Sequence, residues 1–167
     1  MSILNVPHSD SYIIDSLLDK LTYVTRVTAT KADLIYGACV SPFLTFQQMQ
    51  FVKEYFAQEH GKAFFHYIFN PEESDNVGVY TAYKMGVKMA DVISSFGGHF
   101  QVLMAVHIDN AYPHLHFIAN NIDLVSGQRF DLNKANLYRI KVLLSNIACE
   151  YGVSPVRYFS YPKNDDN

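Results

Sequence analysis

The segment His107-Ile-Asp-Asn-Ala-Tyr-Pro-His114-Leu-His116 constrains this chain more than any other. Three of its seven histidines fall within those ten residues. His114 and His116 are two apart, so on a β-strand both point to one face. His107 precedes Asp109-Asn110-Ala111-Tyr112-Pro113, a turn-forming composition. A hairpin through that turn folds His107 back beside the pair. The flanking residues alternate as a hairpin requires. In 99–107, Phe100, Val102, Met104 and Val106 share one face, and Gln101, Leu103, Ala105 and His107 share the other. In 114–121, Leu115, Phe117 and Ala119 oppose His114, His116, Ile118 and Asn120. One face is apolar enough to be covered by helices, and the other carries imidazoles and an amide. Three converging imidazoles make a metal site with open coordination positions. An HxH pair by itself also reads as hydrogen-bonded structural histidines; His107 and the turn carry the metal reading.

The rest of the chain supplies the frame. Residues 2–7 read as a short strand. Ser9, Asp10 and Ser11 are N-cap candidates for a helix with the apolar stripe Ile13, Ile14, Leu17, Leu18, Leu21 and Val24. Residues 33–40 read as a buried strand. Pro42 opens a helix over 45–59, with Thr45 a candidate cap. Residues 63–69 form a strand ended by Asn70-Pro71. A helix over 77–95 stops at Gly97-Gly98, and another over 133–151 stops before Gly152. This order suits an α+β fold, a two-layer α/β sandwich. Its sheet has about five strands, mostly antiparallel, with helices packed on one face and the other free for a substrate.

The length of 167 residues suits one domain. We expect it over 1–160, with 161–167 a polar tail. No apolar run reaches the roughly 20 residues a membrane span needs, and the N-terminus lacks the pattern of a signal peptide. Cys39 and Cys149 sit in apolar surroundings and read as buried free thiols, which fits a reducing cytoplasm. The net charge of −3 does not favour a broad nucleic-acid interface. Arg129, Lys134, Arg139 and Lys141 nevertheless cluster, as a solvated helix face or as a local phosphate-binding strip.

Tyr23 completes the set of candidates. At about 100° per residue it points away from the Leu17/Leu21/Val24 stripe, on the side of Tyr12. An aromatic off the apolar face is either a surface residue or one with chemistry to do.

These residues together resemble conjugative relaxases, the mobilisation nucleases of the HUH endonuclease superfamily, and specifically the MOBP-type group. The resemblance spans roughly residues 10–155. Leu-Thr-Tyr23-Val-Thr-Arg26 is similar to the first motif, with its nucleophilic tyrosine. Ala-Phe-Phe-His66-Tyr-Ile-Phe resembles the strand of the second motif, although Asn70-Pro71 stands where a serine is usual. His107-x-Asp109 with His114-x-His116, continuing to Asn120, resembles the third, metal-binding motif. Gly127-Gln-Arg-Phe-Asp-Leu-Asn-Lys134 and the following helix are similar to the C-terminal part.

The resemblance implies strand-specific nicking of DNA at a transfer origin by Tyr23, through a 5′-phosphotyrosine. His107, His114 and His116 would hold Mn²⁺ or Mg²⁺, with other transition metals possible in crystals. Asp109 or His66 would accept a proton or orient a liganding imidazole. Arg26, Asn70, Asn120, Arg129, Lys134 and Arg139 would contact DNA. The implied partners are single-stranded DNA and a hairpin at the transfer origin, accessory relaxosome proteins and a type IV secretion coupling protein. The implied setting is the bacterial cytoplasm, the protein a monomer.

Three other readings remain open on the sequence. A rolling-circle replication initiator or transposase would use the same chemistry with Tyr138 as nucleophile. A non-catalytic DNA-binding domain would use the histidines as a zinc staple, Asp109 serving as fourth ligand. A small metal-dependent hydrolase would act on another substrate.

Overall fold

The computed structural model describes residues 1–7 and 14–157, the first two of the latter stretch by backbone only. The N-cap candidates Ser9, Asp10 and Ser11, together with Tyr12, Ile13 and the polar tail, lie outside the described residues.

Five strands form one sheet: β1 (Ile3–Asn5), β2 (Ile35–Ala38), β3 (Phe64–Asn70), β4 (Val102–His107) and β5 (His114–Asn120). Their order is β1-β3-β5-β4-β2, and every pairing is antiparallel. The hairpin β4–β5 lies inside the sheet, in register from Val102↔Ala119 to His107↔His114. Four helices surround it: α1 (Ile14–Val24), α2 (Thr45–Tyr55), α3 (Val79–Ser95) and α4 (Lys134–Glu150). The α+β class and the five-stranded antiparallel sheet are those expected.

The helices, however, flank both faces rather than one. On the first face, Phe65, Tyr67, Phe69, Met104, Val106, Leu115 and Phe117 pack against α3 and α4 through Met85, Met89, Ile93, Ile140 and Leu144. Helix α3 comes close at Gly86, where an added Cβ would lie 2.4 Å from Leu115 Cδ2 and 3.0 Å from Met104 Sδ. On the second face, Phe64, Leu103 and Ile118 pack against Leu17, Leu21 and Val24 of α1 and Met49 of α2. The reason lies in the pattern. Leu103 and Ile118 interrupt the polar face of the hairpin, and the stripe of α1 needs an apolar surface. Burying each such side chain stabilises the fold by about 1.5–3 kcal/mol. The second face is therefore half core and half site, with the histidines at one end.

Smaller expectations also shift. Leu18 is 45% exposed and drops out of the α1 stripe. Thr45 is the first helical residue rather than the cap, its hydroxyl donating to Ser41 O at 3.0 Å. Cys39 and Cys149 are free but exposed, because neither side chain turns toward the core.

Candidate metal centre and nucleophile

The hairpin delivers what its spacing promised. His107 and His114 face each other across β4 and β5, and His116 follows one pleat on. The His107 and His116 rings are 4.0 Å apart between centroids, with His114 at 5.2 and 5.0 Å from them. One nitrogen from each comes within 4.8 Å of the others, so the three fit one ion.

Hydrogen bonds decide which nitrogens are offered. His107 Nε2 lies 2.8 Å from Val24 O. A carbonyl only accepts, so Nε2 carries the proton and Nδ1 keeps its lone pair. His116 Nδ1 lies 2.8 Å from His66 Nε2. When His116 donates there, its own Nε2 is left as an acceptor. His107 Nδ1 and His116 Nε2 are both buried without a hydrogen-bond partner. Buried polar atoms are rarely left so, and a metal ion is the partner this chemistry fits.

Burial also keeps the ligands neutral. Desolvation lowers His66 to about 4, with the charges of Lys20 and His107 adding to the effect. Desolvation holds His116 far below the ordinary imidazole range, helped by its histidine neighbours. His107 is lowered too, by burial first, against the Val24 hydrogen bond that raises it. Neutral imidazoles keep their lone pairs for a metal at neutral pH.

Tyr23 stands over this cluster. It occupies the last turn of α1 and is 45% exposed. Its ring centroid is 5.9 Å from that of His107 and 6.0 Å from that of His116. Three links fix α1 to the histidine loop: His107 to Val24 O, Ile108 N–H to Ala29 O at 2.7 Å, and Arg26 to Asp109 at 2.6 Å. Arg26 also donates to Tyr23 O at 2.8 Å and stacks 4.1 Å from the Tyr23 ring centroid. With Asp109 taken up by Arg26, the metal group among the described residues is three imidazoles, an open rather than a closed set.

The structure thus brings together Tyr23, Arg26, His66, His107, Asp109, His114 and His116. Asn70 lies at the same end, one residue beyond the Phe69↔Leu115 pair. Four candidates for DNA contact fall elsewhere. Asn120 ends β5, six residues and about 20 Å from His114. It is 1% exposed, bonded to Lys53 and to Gln101. Arg129 spends its guanidinium on Gln58 O and Oε1, Lys62 O and His60 O. Lys134 and Arg139 sit on α4, across the sheet from the site, as does Tyr138. Sheet and core stand between Tyr138 and the histidines. Lys20 was missed by the sequence reading. Its signal was the helical spacing of three from Tyr23, which places both on one side of α1.

The same fold occurs in known proteins. The fold matches the manganese-bound relaxase domain of MobM (MOBV; Mob_Pre) in complex with plasmid origin-of-transfer DNA. The TM-score is 0.66 at 13% identity, covering 98% of this chain and 93% of that one. It also matches a structure determined for vancomycin resistance transfer in Staphylococcus aureus, with TM-score 0.65 at 11% identity, covering 96% of this chain and 100% of that one. At such identities the likeness is one of fold. No curated protein matches the chain. Residues 23–153 match the relaxase family described as MobA/VirD2-like, nuclease domain. That level is coarser than the MOBP group suggested by the motifs. The span runs from the tyrosine through the histidines to the end of α4, and the chain belongs to this family of relaxases.

Proposed function

We propose that this domain nicks one DNA strand at an origin of transfer and later rejoins it, with Tyr23 as the nucleophile. The observation that carries this reading is the half-exposed Tyr23 ring set against His107 and His116, whose buried lone pairs have no other partner. Bound there, a divalent ion such as Mn²⁺ would neutralise charge on the phosphate oxygens. His107 through Nδ1, His116 through Nε2 and His114 would hold it.

Tyr23 Oη would attack phosphorus in line. An Oη–P bond forms as Oη gives up its proton to solvent, the P–O3′ bond breaks, and the 3′-oxygen leaves as a hydroxyl after taking a proton from solvent. The product is a 5′-phosphotyrosine beside a free 3′-hydroxyl. One phosphodiester is exchanged for another, so the reverse attack reseals the strand without ATP. The fixed α1 end holds the ring in place during this exchange. Asp109, being bonded to Arg26, serves to orient the loop rather than to accept the phenolic proton. His66 fixes the tautomer of His116.

The substrate would be single-stranded DNA beside a hairpin. Accessory relaxosome proteins and a type IV secretion coupling protein would be the partners, in the bacterial cytoplasm. Among the described residues no helix is long and apolar enough to cross a membrane. The test is covalent capture. With Mn²⁺, labelled single-stranded oligonucleotides tiling the encoding element should give one shifted band on a denaturing gel. Tyr23→Phe should remove the band, and Tyr138→Phe should keep it. A band lost in Tyr138→Phe instead would move the nucleophile to α4.

A further inference from the structure

Two cations flank the Tyr23 ring, and they are not equivalent. The Arg26 guanidinium is committed, with one nitrogen on Tyr23 O and another on Asp109. The Lys20 ammonium lies 5.3 Å from the ring centroid on the same stretch of α1. Among the described residues it forms no ion pair and no side-chain hydrogen bond. Lys20 is half-buried rather than splayed into solvent. The Tyr23 ring that it borders lies 5.9 Å from His107 and 6.0 Å from His116, so the ammonium stands beside a ring that itself faces the imidazole cluster.

The cation therefore stands beside the tyrosine with no carboxylate partner among the described residues. Such an arrangement is useful when an anion arrives between the tyrosine and the cluster. We propose that Lys20 grips the phosphate that Tyr23 attacks, and that Arg26 is a strut holding the tyrosine rather than a phosphate ligand. A flexible ammonium suits the task, because it can follow the phosphoryl oxygens as the bond passes from O3′ to Oη. A planar guanidinium locked by two hydrogen bonds cannot.

This inference rests on the nicking reading for the identity of the phosphate, but its test reads binding rather than cutting. In a Tyr23→Phe background, which cannot react, a bound oligonucleotide is scanned with single uncharged methylphosphonate linkages, in the presence of Mn²⁺. With Lys20 present, one linkage should show a penalty in Kd about tenfold beyond the part owed to the bound ion, as expected for one charge-assisted contact. Lys20→Met should cut that penalty by about tenfold and leave those at other linkages unchanged. Lys20→Arg should retain it, and so should Arg26→Gln. Lys20→Gln is the second variant, with thermal melting to confirm folding. An undiminished penalty in both Lys20→Met and Lys20→Gln overturns the assignment. So does a loss spread evenly over all linkages, which would make Lys20 part of a general positive field. Failure of the wild type to form any adduct would sink the nicking reading and leave this scan standing.

Discussion

The two ends of the second sheet face carry similar side chains and treat them in opposite ways. At one end stand His66, His107 and His116, buried and polar. At the other stand Lys53, Gln101, Asn120 and Asn121, also buried and polar. The far end is a closed network. Lys53 Nζ donates to Asn120 and to Asn121 Oδ1, and Asn120 Nδ2 donates to Gln101 Oε1 at 2.9 Å. It ties α2 to the sheet. The histidine end stops short of closure, leaving a nitrogen on each of His66, His107 and His116 without a partner. Buried polar groups that satisfy one another hold a fold together, whereas those left open await something from outside. His116 and Asn120 are four residues apart on one strand face, so composition and burial alone do not tell the two roles apart.

This contrast can be broken at either end. The largest effect belongs to the ligands. His116→Ala should weaken Mn²⁺ binding more than about 100-fold, beyond the range typical of outer-shell partners. Calorimetry giving unchanged affinity would remove His116 from the site. His66→Phe should follow with about 10–100-fold, because His116 Nδ1 loses its partner and the ring loses its orientation. The fold should melt near the wild-type temperature if the role is one of orientation.

The far end should show the reverse pattern. Asn120→Ala should cost about 1–3 kcal/mol of stability by leaving the buried Lys53 Nζ without its main acceptor, while Mn²⁺ affinity stays put. A matched loss of metal binding would mean that the two ends are one system. The same lysine gives a pH signature. Burial first, then the Arg129 charge, lowers Lys53 from 10.5 to about 7. Between those values the unfolded chain binds the extra proton and the folded one does not. Stability therefore rises with pH above about 7, by up to roughly 1.4 kcal/mol per unit, and the gain is lost progressively as pH falls from 10.5 toward about 7. Denaturant melts from pH 7 to 9 should show this rise, and Lys53→Met should flatten it. An identical slope in the variant would place the titration elsewhere. The smallest effect is expected from Lys134→Ala and Arg139→Ala, less than about twofold on oligonucleotide affinity, because α4 lies behind the sheet. A large loss in filter binding would bring a second DNA surface into play.

Much of the frame was legible in the residues. Alternation set out β3, β4 and β5 within a few residues of their true bounds. The 3.6-residue stripe placed α1 and turned Tyr23 away from its buried side. The expectation of a free sheet face failed because Leu103 and Ile118 were read as neighbours of the histidines rather than as a floor for α1. The basic cluster from Arg129 to Lys141 failed differently. Closeness in sequence suggested a strip, but the loop over 121–131 carries Arg129 to the carbonyls of residues 58–62, and α4 runs on the opposite face.

The sequence by itself determined directions: three imidazoles on one face of a hairpin, a tyrosine off the apolar stripe of a helix. Period two and period 3.6 fix where each side chain points relative to its own strand or helix. Tertiary structure alone decided which atoms met. The proton on His107 Nε2 is set by Val24, and the carboxylate of Asp109 is taken by Arg26, in both cases across 83 residues of chain. Local periodicity carries no information about such pairings, because they exist only after α1 has docked on the core that Leu103 and Ile118 provide.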